Sequence, residues 1–500
     1  MAGVTSASSD VDLLVIGFGP TGATLAGLAA LRGLRVLVVE RDTEIFPLPR
    51  AVQCDHEVLR ILQELGCADE VLEGSILNDG LSFLGADREV LAAATVPPMA
   101  PTGWPTSVFF HQPTFESILR RAVGDLGVDV RLGHEVTAID QHDGHVVASL
   151  ADAPPVRAGY VAGCDGARSL TRRAIGTGLR DSGFEEPWLV VDLLLDGEVP
   201  GLPTRCLQVC DPARPHTLVP MPANRFRFEF MLLPDEDPDE IQRPESIEGL
   251  LGAWIDPALV GIERAAVYTF HGLVATRWRD RRVFLAGDAA HQTPPFLGQG
   301  MCAGMRDAAN LAWKLAAVLD GAPDALLDTY QSEREPHAQA VIDVAVGFGK
   351  IICELDPAAA AIRDEAMLAE RAEAVAAGRP ADEAPNVIPP LAPGPAVGAG
   401  GGELSLQPLV AGRRLDDLVG SGFALVTSQA LDPQGDTAEF WRAHGVVLDA
   451  AAHPELEALL CGHAATAIRP DRYVLARGDA TTVTDMARLL LEPSSSGRPA

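Results

Sequence analysis

The first hydrophobic run of the chain, Val11 to Ile16, is short and predicts a strand. Pro20 to Arg32, rich in Ala and Leu, follows as a helix, and Leu34 to Val39 as a second strand. Together they form a βαβ unit of about 30 residues. His56 to Leu65 sets Val58, Leu59, Leu62 and Leu65 at helical spacing. Leu81 to Phe110 reads as short strands and loops, Pro113 to Leu126 as helix, and Val128 to Leu150 as strands broken at Asp143-Gly144. A β-rich stretch runs from Trp188 to Phe270. Within it Arg225-Phe226-Arg227-Phe228-Glu229-Phe230 alternates strictly, so the phenylalanines share one face and the charges the other. Arg282 to Ala286 predicts another strand, Gly300 to Leu319 a long helix, and Asp324 to about Ala377 further helix.

Gly378 to Gly402 is rich in Pro, Gly and Ala and punctuates the chain. A smaller α/β segment follows to Glu492, and Pro493 to Ala500 is expected to be disordered. No internal repeat stands out. These patterns divide the chain into a discontinuous nucleotide-binding domain (1–75, 111–180 and 276–350) and a β-rich domain inserted in it (76–110 and 181–275). A helical segment (351–380), a linker (381–403) and a C-terminal domain (404–492) complete the expected plan.

The formal net charge of −30 changes the picture by exclusion. Nucleic acids and anionic membranes reward clustered Lys and Arg, so neither is expected as a partner. No apolar run reaches the 18 or so residues of a membrane span, and Met1 to Asp12 lacks the regions of a signal peptide. Eight cysteines without a CxxC pattern point to free thiols in a reducing compartment, hence the cytoplasm.

Between the first strand and helix stands Gly17-Phe18-Gly19-Pro20-Thr21-Gly22. In this GxGxxG, Gly17 permits a tight turn, Gly19 lets a pyrophosphate approach the backbone, and Gly22 lets helix and strand pack closely. The phosphates would meet the positive end of the helix. Glu40 comes about 18 residues after Gly22, where a carboxylate can accept the ribose hydroxyls of a dinucleotide. A second motif separates FAD from NAD. Arg282 to Ala286 leads into Gly287-Asp288, then Pro294-Pro295-Phe296-Leu297-Gly298-Gln299-Gly300 and a long helix. Such a return suits a molecule as long as FAD: Asp288 can bind ribityl hydroxyls, and Pro295, Gly298, Gly300 and Met301 can bring backbone against the flavin. The helix start would favour negative charge on the flavin's pyrimidine edge.

The pairing of Gly17–Gly22 with Gly287-Asp288 resembles the single-component (class A) FAD-dependent aromatic hydroxylases, with the 3-(3-hydroxyphenyl)propionate hydroxylases as the nearest branch. Cys164-Asp165-Gly166-Ala167-Arg168-Ser169 is similar to the family's Asp-Gly motif, which implies roles for Asp165 toward FAD and the nicotinamide cofactor. Arg50 matches an arginine near the flavin and its phosphates, and Gln112 a residue that contacts FAD. Cys210 to Pro215, Phe226 to Phe230 and Gly304 to Lys314 extend the likeness, which covers about Val11 to Val344. It implies an α/β fold: a Rossmann-like FAD-binding domain, an intercalated β-sheet substrate domain and a small thioredoxin-like C-terminal domain. It also implies NADH or NADPH as co-substrate and hydroxylation of an electron-rich ring through a flavin C4a-hydroperoxide. Cys302 departs from the pattern, standing where many members have Asn beside the flavin. In the C-terminal domain Cys461 stands alone, so no dithiol chemistry is expected there.

Plainer readings stand beside these. Asp165 could cap a turn, Arg50 could be a surface charge, and His291 reads as a packed structural residue. Arg306 and Asp307 read as an ion pair or cap near the flavin helix. Cys206 and Cys210 lack companion ligands, so no metal is expected. The partners expected are a small aromatic substrate and O₂, with a homodimer left open. The substrate reading is a monocyclic phenol with a short acidic side chain, its ring against Phe226, Phe228 and Phe230 and its carboxylate on Arg214 or His216. The opposing reading packs the phenylalanines in the core and solvates the arginines. Hydroxylation or epoxidation of a polycyclic natural product, an FAD-dependent reductase without oxygen insertion, and a non-enzymatic dinucleotide-binding protein are the alternatives.

Overall fold

The computed structural model describes residues 10–47, 50–380, 382, 384 and 387–492. The C-terminal tail and linker positions 381, 383, 385 and 386 lie outside the described residues. Val11–Ile16 sits inside a mixed sheet, parallel to Val36–Glu40 on one side and to Val156–Gly163 on the other. Val283–Leu285 adds a further parallel strand beyond Val156–Gly163. Central strands covered on both faces are fully buried, which is why Leu13, Leu14 and Val15 read as a continuous apolar run. The helix Pro20–Leu31 begins with Pro at a first-turn position and is buried on nearly every side by Gly300–Leu319 and its neighbours.

A second, eight-stranded sheet is dominated by the long antiparallel pair Leu179–Leu195 and Val260–Ala275. Arg225–Met231 and His216–Met221 extend it in turn. One face of this sheet packs Phe226, Phe228 and Phe230 with Leu189, Val191 and Leu218, closed by Ile247 and Leu251 of the helix Pro244–Leu251. The other face looks toward the first sheet.

In the C-terminal part, Phe423–Thr427 pairs in parallel with Gly445–Asp449 and antiparallel with Ala465–Ile468, which pairs with Val474–Gly478. With helices Asp436–His444 and Ala480–Leu491 this is the strand–helix–strand, hairpin–helix order of a thioredoxin-like fold. The Pro-, Gly- and Ala-rich stretch before it is packed rather than loose: Leu391, Ala396 and Val397 are buried, and a Cβ on Gly401 would lie 2.4 Å from the Leu475 carbonyl. Its small residues serve close approach. No helix among the described residues is long and apolar enough to cross a membrane.

Candidate active site

Three turns meet at one edge of the first sheet. Ile16, Gly163 and Leu285 stand side by side in register, so the chain leaves these strands at the same end. That register delivers Gly17–Gly22, Cys164–Ser169 and Gly287-Asp288 to one place, the usual location of a ligand in a parallel sheet. The glycines of the first motif divide their tasks. Gly17 has φ +100°, and a Cβ there would lie 2.4 Å from the Cys164 carbonyl oxygen. A Cβ on Gly22 would lie 2.0 Å from the Gly17 carbonyl oxygen. Gly19 meets no atom within 4 Å and borders a cavity of about 1450 Å³, so its missing side chain makes room for something other than protein.

Arg50, Gln112, Asp288 and Pro295 also border that cavity, as do Gly298, Gly300 and Met301. The Asp288 carboxylate makes no hydrogen bond or ion pair among the described residues. Arg50 is exposed at the cavity, and its backbone N–H and that of Ala51 donate to Gln112 Oε1 at 2.6 and 2.7 Å. Gln112 Nε2 donates to Glu116, so this side chain pins the Arg50 loop. The helix Gly300–Leu319 starts at the cavity, its first-turn N–H groups lacking helical partners.

Gly17, Gly22, Glu40, Asp165 and Gly287 are not among the residues bordering the cavity; they shape its edge. Glu40 accepts from Phe18 N at 2.7 Å and from Asp42 N at 3.0 Å, fixing the glycine turn. Asp165 accepts from Ser169 Oγ and from both N and Oγ1 of Thr171. Its carboxylate is thus committed to the start of the helix Leu170–Ala174, the capping reading, while Gly166, Ala167 and Arg168 border the cavity. Gly287 N donates to Asp307 Oδ2 at 3.0 Å. An open glycine cradle, an unpartnered aspartate, a helix start and an exposed arginine fit the phosphates, ribityl chain and flavin of FAD.

The far wall is the second sheet. Val219, Arg227, Asp192 and Arg264 form one cross-strand row, and Gln208, Thr217, Glu229 and Val190 the next. Arg227, 2% exposed, donates to Asp192 through Nε at 2.7 Å and Nη2 at 3.1 Å. Its Nη1 donates to the Arg50 carbonyl at 2.8 Å, joining wall to loop. Arg264 Nη1 donates to Asp192 Oδ2 at 3.2 Å, and Arg264 Nη2 to the Tyr268 hydroxyl. Burial pulls Arg227 down, but Asp192 outweighs it and leaves the guanidinium raised above its ordinary value.

Similarity to known proteins decides the class. The "FAD binding domain" family matches residues 10–345. A protein of Rhodococcus jostii (strain RHA1) named "Probable NADH-specific resorcinol 4-hydroxylase" is 43% identical over 72% of this chain and 69% of its own length. A "3-(3-hydroxy-phenyl)propionate/3-hydroxycinnamic acid hydroxylase 2" of Burkholderia vietnamiensis (strain G4 / LMG 22486) is 34% identical over 94% of both chains. The chain belongs to the FAD-dependent aromatic hydroxylases. A solved hydroxylase of this kind, aklavinone-11 hydroxylase with FAD and aklavinone, superimposes with TM-score 0.78 at 28% identity over 97% of this chain and all of that one.

Against this hydroxylase frame two substrate candidates move. Arg214 and His216 do not border the cavity. Arg214 pairs with Glu236 at 2.5 and 2.6 Å and donates to the Met231 carbonyl. His216 Nδ1 donates to the Arg214 carbonyl at 2.7 Å, leaving Nε2 to accept the Trp254 indole N–H at 2.8 Å, and burial pulls this imidazole below its ordinary pKa. The reason is strand parity: His216 pairs with Phe230 on the core face, while Thr217 beside it pairs with Glu229 on the cavity face. The phenylalanines therefore pack the core; on the opposite face Arg227 is buried, while Arg225 is half-buried and paired with Glu263.

Arg306 and Asp307 are not paired with each other. Successive helical residues point apart, so Arg306 reaches Asp55, Glu57 and Gln299, while Asp307 receives His291 and Arg334. The Cys302 thiol, wholly buried, turns toward the Gly298 and Gln53 carbonyls, and burial pushes its pKa up. Sequence reading missed Asp192, Arg264, Tyr268 and Gln208. Their only signal was a polar residue recurring inside otherwise apolar strands.

Proposed function

We propose that the protein uses NADH and O₂ to hydroxylate a monocyclic phenol at this cavity. The observation that carries the reading is the cavity itself, with a dinucleotide cradle on one side and a buried polar sheet face on the other. The chemistry that FAD supplies when bound is acceptance of hydride and activation of O₂. Gly19, Asp288 and the start of Gly300–Leu319 would hold it, and Arg50 stands where phosphate or nicotinamide cofactor would meet a cation. The sheet wall orients the ring, and Phe270, Phe296 and Phe348 at the cavity exclude water from it. NADH rather than NADPH is supported by the Rhodococcus relative, which is named as NADH-specific.

A second reading, a polycyclic substrate, is favoured by the structural likeness to the aklavinone complex and by the cavity volume. Purified protein incubated with NADH, ¹⁸O₂ and a panel of resorcinol, 3-(3-hydroxyphenyl)propionate and a tetracyclic phenol separates them by product mass. One labelled oxygen in a monocyclic product is expected. NADH oxidation without oxygen insertion would make the protein a reductase, and labelled tetracycle alone would establish the second reading.

A further inference from the structure

We propose that the sheet wall is a subsite for an uncharged phenol, and that Glu229 accepts the proton of its hydroxyl. This rests on the phenol-hydroxylase reading above and names the charge of its substrate.

The wall's formal charges are balanced before any substrate enters. Arg227 and Arg264 supply two cations, and Asp192 and Glu229 two carboxylates. Asp192 is shared between both guanidiniums, and Arg227 spends its remaining reach on the Arg50 carbonyl. A substrate carboxylate would add an unmatched charge to a buried surface, which is costly. The cations exposed at the cavity, Arg50 and Arg168, are screened by water and lend such an acid little.

Of the two carboxylates on this wall, Glu229 is the one left with unused capacity among the described residues. It is 7% exposed, borders the cavity, and its nearest cation, Arg227 Nη1, lies 3.6 Å away, outside hydrogen-bond distance. Burial raises its carboxyl from the ordinary value while Arg227 and Arg264 oppose the shift, so the carboxylate holds an accepted proton more firmly than an exposed glutamate would. Beside it, Gln208 uses Oε1 to accept the Thr217 hydroxyl at 2.6 Å, leaving its amide N–H groups to face an incoming oxygen.

The step balances within the site. The phenolic O–H bond breaks as an O–H bond forms on Glu229, and the electron pair stays on the phenolic oxygen. Total charge is unchanged, so the transfer needs no counter-ion from solvent. The negative oxygen that results faces the Gln208 amide and the cationic end of Arg227. Its ring is the more electron-rich nucleophile that hydroxylation requires.

The test uses FAD-loaded wild type, Glu229→Gln and Glu229→Asp, with resorcinol and 3-(3-hydroxyphenyl)propionate as probes from pH 6 to about pH 10. Flavin absorbance perturbation gives Kd, and stimulated NADH oxidation gives kcat. Wild type should bind resorcinol about tenfold more tightly than the acid. Glu229→Gln should lower kcat for resorcinol about a hundredfold at neutral pH. It should recover as rising pH ionises the phenol in solution, while Glu229→Asp keeps most of the wild-type profile. Bound-FAD absorbance shows whether each variant is folded. An unchanged kcat–pH profile in Glu229→Gln, or tighter binding of the acid that is lost in Arg50→Ala, overturns the proposal and leaves the hydroxylase reading standing. If neither phenol stimulates wild-type NADH oxidation, the reading and the proposal fall together.

Discussion

The Tyr473 hydroxyl, at the start of a C-terminal strand, donates to Glu57 Oε1 at 2.8 Å. Glu57 Oε2 in turn receives Arg306 Nε at 2.5 Å, and Arg306 Nη1 donates to Gln299 Oε1 at 2.9 Å. Gln299 borders the cavity and precedes the helix Gly300–Leu319. All four side chains are buried, so the thioredoxin-like part reaches the turn bordering the cavity through fixed, fully desolvated contacts. Tyr473→Phe removes one hydrogen bond to a buried carboxylate without changing shape. We expect FAD binding weakened about fivefold, the effect of losing a single such bond. Fluorescence titration of the apoprotein checks it; an unchanged Kd would reduce Tyr473 to packing.

The glycine cradle makes a sharper prediction, because Gly19 alone of its motif has open space beside it. Gly19→Leu should fold, since no protein atom lies within 4 Å of a Cβ there, yet fill the room needed by a pyrophosphate. Asp288→Ala removes the unpartnered carboxylate. Both variants should emerge from gel filtration depleted of FAD, with a far-UV spectrum like that of wild type. Full flavin occupancy in both would move the cofactor elsewhere.

Arg214 offers the opposite expectation. Its guanidinium is tied to Glu236 away from the cavity, with side chains 22% and 28% exposed. Arg214→Ala should leave KM for the aromatic substrate within about twofold of wild type and cost at most about 1 kcal/mol of stability. A tenfold rise in KM with kcat preserved would restore Arg214 as an anchor.

The contrast between Gly19 and Arg214 shows what a sequence can carry. The roles of Gly17, Gly19 and Gly22 follow from local sterics, since Gly22 must clear a carbonyl only five residues away. The strands and helices around them were legible for the same reason: periodicity is local. Asp192 was not, because its partners Arg227 and Arg264 lie 35 and 72 residues off and meet it only through the register of the long strands. The alternation of Arg225 to Phe230 told which side chains share a face, not whether that face meets solvent or a cavity. One residue of parity then placed His216 on the core side and Thr217 on the cavity side. The Arg50 loop and the Tyr473–Glu57 contact likewise depend on elements far apart in sequence coming to rest together.

Stability should depend on pH at the junction of Gly300–Leu319, Asp328–Ile352 and the C-terminal sheet. Glu333 accepts from Lys314 Nζ at 2.7 Å, Arg469 Nη2 at 2.7 Å and Asn310 Nδ2 at 2.9 Å, all buried. Burial alone would push its carboxyl up, but Arg469 and Lys314 outweigh that and hold it down at about 2, from an ordinary 4.5. A carboxyl whose pKa is lower in the folded than in the unfolded chain binds protons preferentially when unfolded. Its contribution is therefore complete above about pH 4.5 and is lost as pH falls toward 2. Glu333→Gln leaves two buried cations short of a counter-charge, although Arg469 keeps Asp471, and should cost about 3–5 kcal/mol at pH 7. The neutral amide has no proton to gain, so the gap between wild type and variant should narrow as pH drops through 4 toward 3. Urea midpoints for both proteins at pH 7, 5, 4 and 3 measure it. A gap that stays constant across that series would mean that Glu333 contributes through shape and hydrogen bonding, not through its charge.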